Sequence, residues 1–525
     1  MTSFVFWLSE LRQSPALVSL AVSIFAVVGY CVHAYWVSPL HRYPGPFLAK
    51  FTNLWRLYRI SRGDFHKELQ ALHEKYGPVV RIGPNVLDID YPDLNKTVFN
   101  TKGDWRKTEA YLGSNVVVDG QIVYNVFSEL DKTKHANGKR PIAKYYSATG
   151  VATIEPHVDK IISQFCDEIE TRFIGSDNTK PVSSTTPFNL GTWTNFYTWD
   201  VIGALTFSQP LGYLSKGFDF DGTIKIAEKA IEYFGLLTAM PSLDYWFDKN
   251  PIYRLGPPGF ANVGGISVQH MIDRYQNADS AYHDPSKPDY LDRFIEAKHD
   301  NPDSVNDAQV VSWLMINMIA GADTTATIIR NAVYYSLKNR HVWTRLRADL
   351  ASAGLTADQT PLPLKPLRAI PYLEAIVNES LRILPAVILS MERYVPPGGQ
   401  RLLDGSIVPE NTILGFNLYV LGRNKKVWGE DAEEFKPERW LQNTGEGDDE
   451  YKTRLQEMHN AALSFGGGSR ICLGKHMGLM QVYKVVATLA VRYEVELAHP
   501  EREWRVVNHF FPMQDGLEVK IARRV

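Results

Sequence analysis

The sequence predicts a mainly α-helical protein with a small β region, preceded by one transmembrane helix. Three observations support this fold class. Helical periodicity dominates from about residue 141 to 347, short β-branched runs flank that region, and the chain begins with a long apolar run. No internal repeat or shift in composition divides the residues after the apolar run, so we expect them to form one domain.

The first predicted element is a membrane anchor, Ala16 to Val37, which carries no formally charged residue and is long enough to span a hydrocarbon core. Tyr35 and Trp36 stand at its far end, where an interfacial aromatic belt is expected. Basic residues are more numerous after the run than before it, so the positive-inside rule places residues 1–15 in the lumen and the bulk of the chain in the cytoplasm. A cleaved signal peptide is the alternative, although the run is long for one and lacks a clear cleavage site.

A proline-rich segment, residues 38–50, follows the anchor and contains Tyr43-Pro44-Gly45-Pro46. Proline lacks an amide donor and restricts the residue before it, so this segment cannot continue the helix. We expect it to act as a hinge between the membrane and a domain that spans residues 51–525. Within that domain, His66 to Asp90 passes from helical spacing into two short strand-like runs that are separated at Gly83-Pro84.

Composition and charge exclude several classes of function. The formal net charge of −2 gives no electrostatic reason to expect a nucleic-acid partner. Three scattered cysteines, Cys31, Cys166 and Cys472, are too few for a disulfide framework, and no CxxC pair indicates structural zinc. We find no flavin- or nicotinamide-binding segment within this length.

The segment that carries the strongest chemical signal is a glycine-rich loop, Phe465 to Gly474, which presents Cys472 and then opens a helix. Glycines let the backbone approach a flat ligand closely and adopt positive φ. The N-terminus of the following helix favours a thiolate over a thiol, and a thiolate can bind haem iron. A buried, inert cysteine is the alternative.

This loop reads FxxGxRxCxG, and it thereby resembles the haem-binding signature of the cytochrome P450 superfamily. The resemblance implies a haem-thiolate monooxygenase with heme b as cofactor, Cys472 as the axial iron ligand, and Phe465, Arg470 and Gly474 in the haem-binding loop. It covers nearly the whole chain and is closest in character to microsomal fungal members similar to pisatin demethylase and to secondary-metabolite hydroxylases.

A second motif, Ala320 to Thr325, lies within an apolar helical stretch from about Val310 to Leu337 and resembles the family's oxygen-activating motif. The resemblance implies that Gly321 leaves room for dioxygen and that Asp323 and Thr324 relay protons as general acids. A small-residue notch for helix packing, beside a satisfied buried aspartate, is the alternative reading.

Glu379 and Arg382 match the family's ExxR pair, and Arg439 lies in a segment that resembles the one completing that pair. Buried charges need partners, so the resemblance implies that these three residues stabilise the core on the side of the cysteine. An exposed i,i+3 ion pair on a helix surface is the alternative.

The resemblance also assigns partners for the anionic haem propionates, which need cationic or hydrogen-bonding groups. Arg470, Arg393, His135, Lys139 and Arg140 occupy the matching positions. His135 stands where tryptophan is usual and Lys139 where arginine is usual, so this chain departs from the commonest pattern there. A run of basic residues nearby favours an acidic redox partner, with a merely solvated face as the alternative.

The expected reaction is oxidation of a hydrophobic small molecule by O₂, with electrons from a separate NADPH-cytochrome P450 reductase and with cytochrome b5 as a further candidate donor. The resemblance places the pocket at apolar positions above the haem, which are Val117, Ile316, Ala320, Val387, Ile388 and Phe510. It also implies a single-pass protein of the endoplasmic reticulum membrane that acts in fungal secondary metabolism, for example on a terpenoid. The alternatives are detoxifying oxidation or demethylation of a plant compound, a reductase-independent haem-thiolate isomerase, and a non-catalytic haem-binding protein.

Overall fold

The computed structural model describes residues 15–118, 121–175, 181–256 and 260–524. These residues are mostly helical with small sheets, so the predicted fold class is confirmed. Of the predicted luminal segment 1–15, residues 1–14 lie outside the described part of the chain.

The helices of the N-terminal half are α1 (Pro15–Val32), α2 (Leu54–Ser61), α3 (Phe65–Tyr76), α4 (Asn95–Val98), α5 (Lys132–Lys139), α6 (Ala148–Ala152), α7 (Glu155–Ile169), α8 (Leu190–Phe207), α9 (Tyr213–Lys216) and α10 (Thr223–Leu237). Those of the C-terminal half are α11 (Ala261–Tyr275), α12 (Tyr290–Asp300), α13 (Asp307–Gly321), α14 (Asp323–Lys338), α15 (Arg340–Ser352), α16 (Leu364–Leu367), α17 (Pro371–Ile383), α18 (Leu418–Leu421), α19 (Lys425–Trp428), α20 (Asp448–Ala462) and α21 (Lys475–Arg492). Helix therefore dominates the described residues between 141 and 347, with loops between the helices, as the periodicity predicts.

The strands are short and form small sheets. They are β1 (Val79–Gly83), β2 (Val86–Ile89), β3 (Arg106–Lys107), β4 (Val116–Val118), β5 (Gln121–Val123), β6 (Phe188–Asn189), β7 (Arg393–Tyr394), β8 (Gln400–Arg401), β9 (Ile407–Val408), β10 (Ile413–Gly415), β11 (Tyr493–Leu497), β12 (Arg505–Asn508), β13 (Pro512–Asp515) and β14 (Glu518–Arg523). One five-stranded sheet has the order β1-β2-β10-β7-β3, and a three-stranded sheet has the order β11-β14-β6.

The N-terminal apolar segment, Ala16–Val37, is helical, exposed along most of its length, and long and apolar enough to cross a membrane. Its helix α1 continues as a turn of π-helix, His33–Val37. The proline-rich segment that follows is not a free hinge, because Leu40, Tyr43 and Ala49 are buried against the domain. The backbone N–H of Arg81 in β1 also donates to the carbonyl of Pro44 at 2.7 Å.

The core is organised around α14, which packs against α8, α17 and α21. The apolar stretch from Val310 to Leu337, predicted as one helix, is two helices that meet at Ala322. At that residue the backbone takes φ −80° and ψ −74°, and the α-helical hydrogen bonds are interrupted. The break occurs inside the motif that runs from Ala320 to Thr325.

Candidate functional site

The cysteine loop runs from Phe465 to Gly474 and ends where α21 begins at Lys475. The backbone N–H of Cys472 donates to the carbonyl of Phe465 at 2.9 Å, which closes the loop on itself. Gly468 has φ +59°, and a Cβ there would come within 2.4 Å of the carbonyl oxygen of Asn100. Only glycine avoids both the strained backbone and this collision.

Cys472 lies at the N-terminus of α21, and its side chain is accessible although protein surrounds it. Burial raises the pKa of this thiol, and the backbone N–H groups of Gly474 and Lys475 and the charge of Lys139 only partly oppose that effect. The helix N-terminus favours the thiolate, as predicted, but burial outweighs it in the protein alone; a bound metal ion would deprotonate the thiol.

Three cations, Lys107, Arg393 and Arg470, form what we call the cation cluster. Lys107 in β3 and Arg393 in β7 are directly opposite each other in an antiparallel pair, an arrangement that is unfavourable for like charges. In the described part of the chain, none of the three forms an ion pair with a carboxylate. Burial, with the neighbouring charge of Arg393, lowers the pKa of Lys107 well below its ordinary value and that of Arg470 to about 10.

The hydrogen bonds of the cation cluster go to neutral acceptors. Lys107 donates to the carbonyl of Phe127 and lies 3.6 Å from the ring centroid of Tyr111. Arg393 donates to the Tyr111 hydroxyl at 2.9 Å, and Arg470 donates to the carbonyl of Glu129 at 2.5 Å. An anionic group is therefore the missing partner, and the propionates of haem supply that chemistry beside an accessible cysteine. The residues present fit haem.

The three other predicted propionate partners lie in or next to α5. His135 is buried, and burial together with Arg470 and Lys139 lowers its pKa to about 3. Lys139 donates to the carbonyl of Ser469 at 2.9 Å, so it contacts the cysteine loop. Arg140 is exposed, and its side chain forms no hydrogen bond or ion pair with the described residues.

Asp323 and Thr324 lie directly after the helix break. The Asp323 carboxylate accepts a hydrogen bond from the indole N–H of Trp199 at 3.1 Å, and burial raises its pKa. The Thr324 hydroxyl donates to the carbonyl of Ala320 at 2.6 Å, across the break. Ala320 is exposed although its helix is otherwise largely buried.

Gly321 has a packing role in this structure. A Cβ at this position would lie 2.7 Å from the Ile202 side chain of α8 and 3.5 Å from Met477 of α21. The glycine therefore allows the broken helix to approach its neighbours closely. This is the notch that we named as the alternative reading of the motif.

Glu379, Arg382 and Arg439, which we call the Glu379 cluster, are brought together as predicted. Glu379 and Arg382 have no exposed side-chain surface and form a bidentate pair, with both N–O distances 2.8 Å. Arg439 donates to the same carboxylate at 3.0 Å. Burial acts to raise the pKa of Glu379, but Arg382 and the other donors outweigh it, so the net pKa is lowered.

The structure brings only some of the predicted pocket residues together. Ile388 donates its backbone N–H to the carbonyl of Phe510 at 3.1 Å, which joins two of them, but the Ile388 side chain is wholly buried. Val387 and Ile316 are half-buried, and Ala320 is exposed. Val117 is half-buried in the β4–β5 hairpin.

An aromatic cluster that the sequence analysis missed surrounds Phe510. Phe234 of α10 and Phe127 lie 4.7 and 6.1 Å from it, measured between ring centroids, and 6.2 Å from each other. Phe127 also supplies the carbonyl that Lys107 uses. Aromatic content alone could not have singled out these rings, because the chain has 24 phenylalanines.

Comparison with known proteins places the chain in a family. Residues 44–518 match the family model described as Cytochrome P450. The matched range includes the cysteine loop, the helix break, the cation cluster and the Glu379 cluster.

Relatives of similar length come from filamentous fungi. The chain is 43% identical over 516 residues to cytochrome P450 monooxygenase cfoH of Aspergillus candidus, covering 98% of this chain and 94% of that protein. It is 32% identical over 489 residues to cytochrome P450 monooxygenase cicH of Emericella nidulans, covering 92% and 94%. Cytochrome P450 monooxygenase mpaDE of Penicillium roqueforti is 31% identical over 519 residues, but the match covers only 58% of that longer protein.

Proposed function

This chain belongs to the cytochrome P450 family and is a haem-thiolate monooxygenase, and from that premise we propose which of its residues carry out the reaction. Cys472 is the iron ligand. Lys107, Arg393 and Arg470, with His135, hold the propionates, and Asp323 and Thr324 deliver protons. The observation that carries the proposal is an accessible cysteine in the same loop as the half-buried Arg470, with Lys107 and Arg393 buried nearby and no carboxylate partner for any of the three among the described residues.

Bound haem supplies the activation of dioxygen, to which a thiolate ligand contributes electron density. The protein's part is to hold and protect that ligand. The backbone N–H groups of Gly474 and Lys475 stabilise negative charge on the Cys472 sulfur. Lys139 supports the same ligand. Its ammonium group donates to the Ser469 carbonyl in the cysteine loop, and its positive charge favours the thiolate.

Proton delivery is the role of Asp323 and Thr324. The indole of Trp199 orients the Asp323 carboxylate at the start of α14. The Thr324 hydroxyl is held by its hydrogen bond to the carbonyl of Ala320, a residue that is itself exposed. A carboxyl group and a hydroxyl on adjacent residues can pass a proton between them as general acids.

The substrate is a hydrophobic small molecule. The aromatic rings of Phe127, Phe234 and Phe510, together with the half-buried Ile316 and Val387, offer apolar contact surface and few hydrogen-bonding groups. We place the reaction in fungal secondary metabolism, with a terpenoid as one candidate substrate, because the similar proteins come from filamentous fungi. Detoxification of a plant compound uses the same chemistry and is the alternative.

Electrons come from a separate NADPH-cytochrome P450 reductase, with cytochrome b5 as a further candidate donor. The basic run near α5 is less positive than its composition indicates, because Lys132 pairs with Asp104 and Lys144 pairs with Glu296. Lys134 in α5 and Arg140 directly after it remain exposed, and we assign them as contacts for an acidic partner.

The anchor holds the protein in the endoplasmic reticulum membrane, with the domain on the cytoplasmic side. A second apolar surface supports membrane contact: Trp246 is 71% exposed and Ile252 84% exposed, in the segment that follows α10. Exposed Leu54 and Tyr58 lie on α2, which is joined to the end of α10 by Arg56. Exposed apolar patches of this kind mark interaction sites, and here they adjoin the chain that leads from the anchor.

The ligand assignment is tested by replacing Cys472. The haem-loaded wild-type protein, reduced and treated with carbon monoxide, should absorb at about 450 nm, the band that thiolate ligation by Cys472 would give. Cys472→His should move that band and Cys472→Ala should abolish it, while Cys166→Ala, a buried cysteine in α7, should leave it in place. A wild-type spectrum typical of histidine ligation would contradict the assignment.

A further inference from the structure

A buried ion pair outside the residues assigned above joins separate parts of the fold. Arg56 of α2 donates from Nη1 to the Glu392 carboxylate at 2.6 Å, and the two side chains are only 5% and 6% exposed. The second terminal nitrogen of Arg56, Nη2, donates to the carbonyls of Thr238 and Ala239, both at 3.2 Å. We call Arg56 and Glu392 the Arg56 pair.

The Glu392 end of the pair lies at the two strands that carry members of the cation cluster. Glu392 directly precedes Arg393, the first residue of β7, and its Oε2 accepts a hydrogen bond from the Thr108 hydroxyl at 3.0 Å. Thr108 directly follows Lys107, which is opposite Arg393 in the β3–β7 pair. The carboxylate therefore connects the two strands whose cations we assign to the haem propionates.

The Arg56 end of the pair lies at the end of α10. The two carbonyls that Arg56 binds follow Leu237, the last residue of that helix, and a cation is favourable at a helix C-terminus. Phe234, in the last turn of α10, belongs to the aromatic cluster and lies 4.7 Å from Phe510, measured between ring centroids. The guanidinium group therefore holds the helix that supplies one wall of the proposed pocket.

The β12–β13 hairpin, which carries Phe510, is packed closely against the same region. A Cβ at Gly235 of α10 would lie 2.1 Å from the carbonyl oxygen of His509. The backbone N–H of Asn508 donates to the carbonyl of Gly63, just after α2, at 2.8 Å. The end of α10, the hairpin and α2 therefore meet at one place, and the Arg56 pair connects that place to β7.

We propose that Arg56 and Glu392 are positioning residues for the substrate, because their ion pair fixes the end of α10, and with it Phe234, relative to the strands that hold haem. How well the pocket retains a bulky molecule then depends on this pair. Removing one member of a buried pair leaves an uncompensated charge, so a single substitution is enough to loosen the wall. The inference rests on the proposed haem site and pocket, and it adds the residues that set the width of that pocket.

The experiment uses the haem-loaded, full-length chain and two nitrogen ligands of haem iron that differ in size. These are imidazole and clotrimazole, an imidazole with a bulky triaryl group. When each reduced complex is mixed with carbon monoxide, growth of the band at about 450 nm reports the dissociation of the ligand. Arg56→Met should speed clotrimazole dissociation about tenfold, as the loss of a charge-assisted hydrogen bond allows, and change imidazole dissociation less than about twofold.

Arg59→Met is the matched control. Arg59 lies one turn further along α2, pairs with Glu68 and has a side chain that is 33% exposed. Both dissociation rates should stay within about twofold of the wild-type rates, because exposed pairs contribute little. A general loss of stability would change both rates alike, so the ratio of the clotrimazole rate to the imidazole rate isolates the position of the wall.

Two further variants test the pair itself. Glu392→Gln keeps an acceptor for the Thr108 hydroxyl but removes the charge, so it should raise the ratio as Arg56→Met does. The double variant Arg56→Met/Glu392→Gln should raise the ratio by less than the two single effects together, because both remove one interaction. Arg56→Lys, which keeps the positive charge, should bring the ratio back towards the wild-type value.

A wild-type ratio in both Arg56→Met and Glu392→Gln would overturn the inference and leave the haem site as proposed. Should Arg56→Met retain no haem, a wild-type ratio in Glu392→Gln alone would overturn it. A wild-type protein that shows no band near 450 nm with carbon monoxide would instead contradict the proposed function, and the inference would fail with it.

Discussion

The Glu379 cluster and the cation cluster are both groups of buried charge, yet the protein treats them in opposite ways. In the first, a single carboxylate satisfies two guanidinium groups, and Arg382 also donates to the carbonyls of Gly422 and Ala432. In the second, Lys107 and Arg393 face each other across a strand pair with only neutral acceptors.

This difference separates structural from functional charge. A buried ion pair that the protein completes by itself holds elements together, and removing one member leaves an uncompensated charge. Buried like charges that the protein leaves uncompensated destabilise the fold until a ligand of opposite charge arrives. The absence of internal partners is therefore the clearer sign of a binding site.

The largest effect on stability should come from breaking the Glu379 cluster. Glu379→Ala leaves Arg382 and Arg439 buried without a counterion, so it should lower the free energy of unfolding by about 3–5 kcal/mol. Urea unfolding followed by tryptophan fluorescence measures this loss. Asp349→Ala is the control, because it removes an exposed i,i+4 pair with Arg345 and should cost less than about 0.5 kcal/mol. Equal losses in both variants would show that the Glu379 cluster is not structural.

An intermediate effect should come from the cation cluster. A substitution there should stabilise the haem-free protein but weaken the binding of haem. Lys107→Met removes one of two facing cations, so it should stabilise the haem-free protein by roughly 1–4 kcal/mol. The same change removes a partner of the propionates and should speed haem loss about tenfold or more, the equivalent of a charge-assisted hydrogen bond. Urea unfolding and haem transfer to apomyoglobin measure the two quantities.

Lys96→Met, an exposed lysine in α4, is the matched control and should change neither quantity. A Lys107→Met protein that is less stable without haem and retains haem normally would contradict the comparison. Lys107 would then be a structural cation.

The smallest effect should come from Arg140. Its side chain is exposed and has no described partner, so Arg140→Ala should change haem loss by less than about twofold. His135→Ala, in the same region of α5 but buried near Arg470, should change it more. An Arg140→Ala variant that loses haem as fast as the His135 variant would show that α5 moves when haem binds.

Local patterns in the sequence predicted the fold class and the N-terminal apolar helix, whereas the Glu379 cluster and the role of the cysteine loop were predicted from the resemblance to a known family. Glycines around Cys472 mark a loop that must approach other backbone closely, and Glu379 and Arg382 are one helical turn apart. Local spacing was sufficient for the Glu379–Arg382 pair, but Arg439 lies far along the chain and only the family resemblance assigned it to the cluster.

The rest depended on contacts between distant segments. Lys107 becomes a site residue only because β3 pairs with β7, which places it opposite Arg393. Phe127 and Phe234 meet Phe510 only after three separate segments fold together. The helix break at Ala322 could not be predicted from the sequence, because there is no proline near it.

Arg81 connects the N-terminal apolar helix to the domain that follows it. Its buried guanidinium group donates to the carbonyls of Ala34, Lys50 and Pro84, so one side chain fastens the end of the anchor to the first strand pair. These hydrogen bonds fix the end of the apolar helix against the body of the protein. A soluble form that begins after Val37 removes one of these three acceptors, whereas one that begins before Ala34 keeps them all.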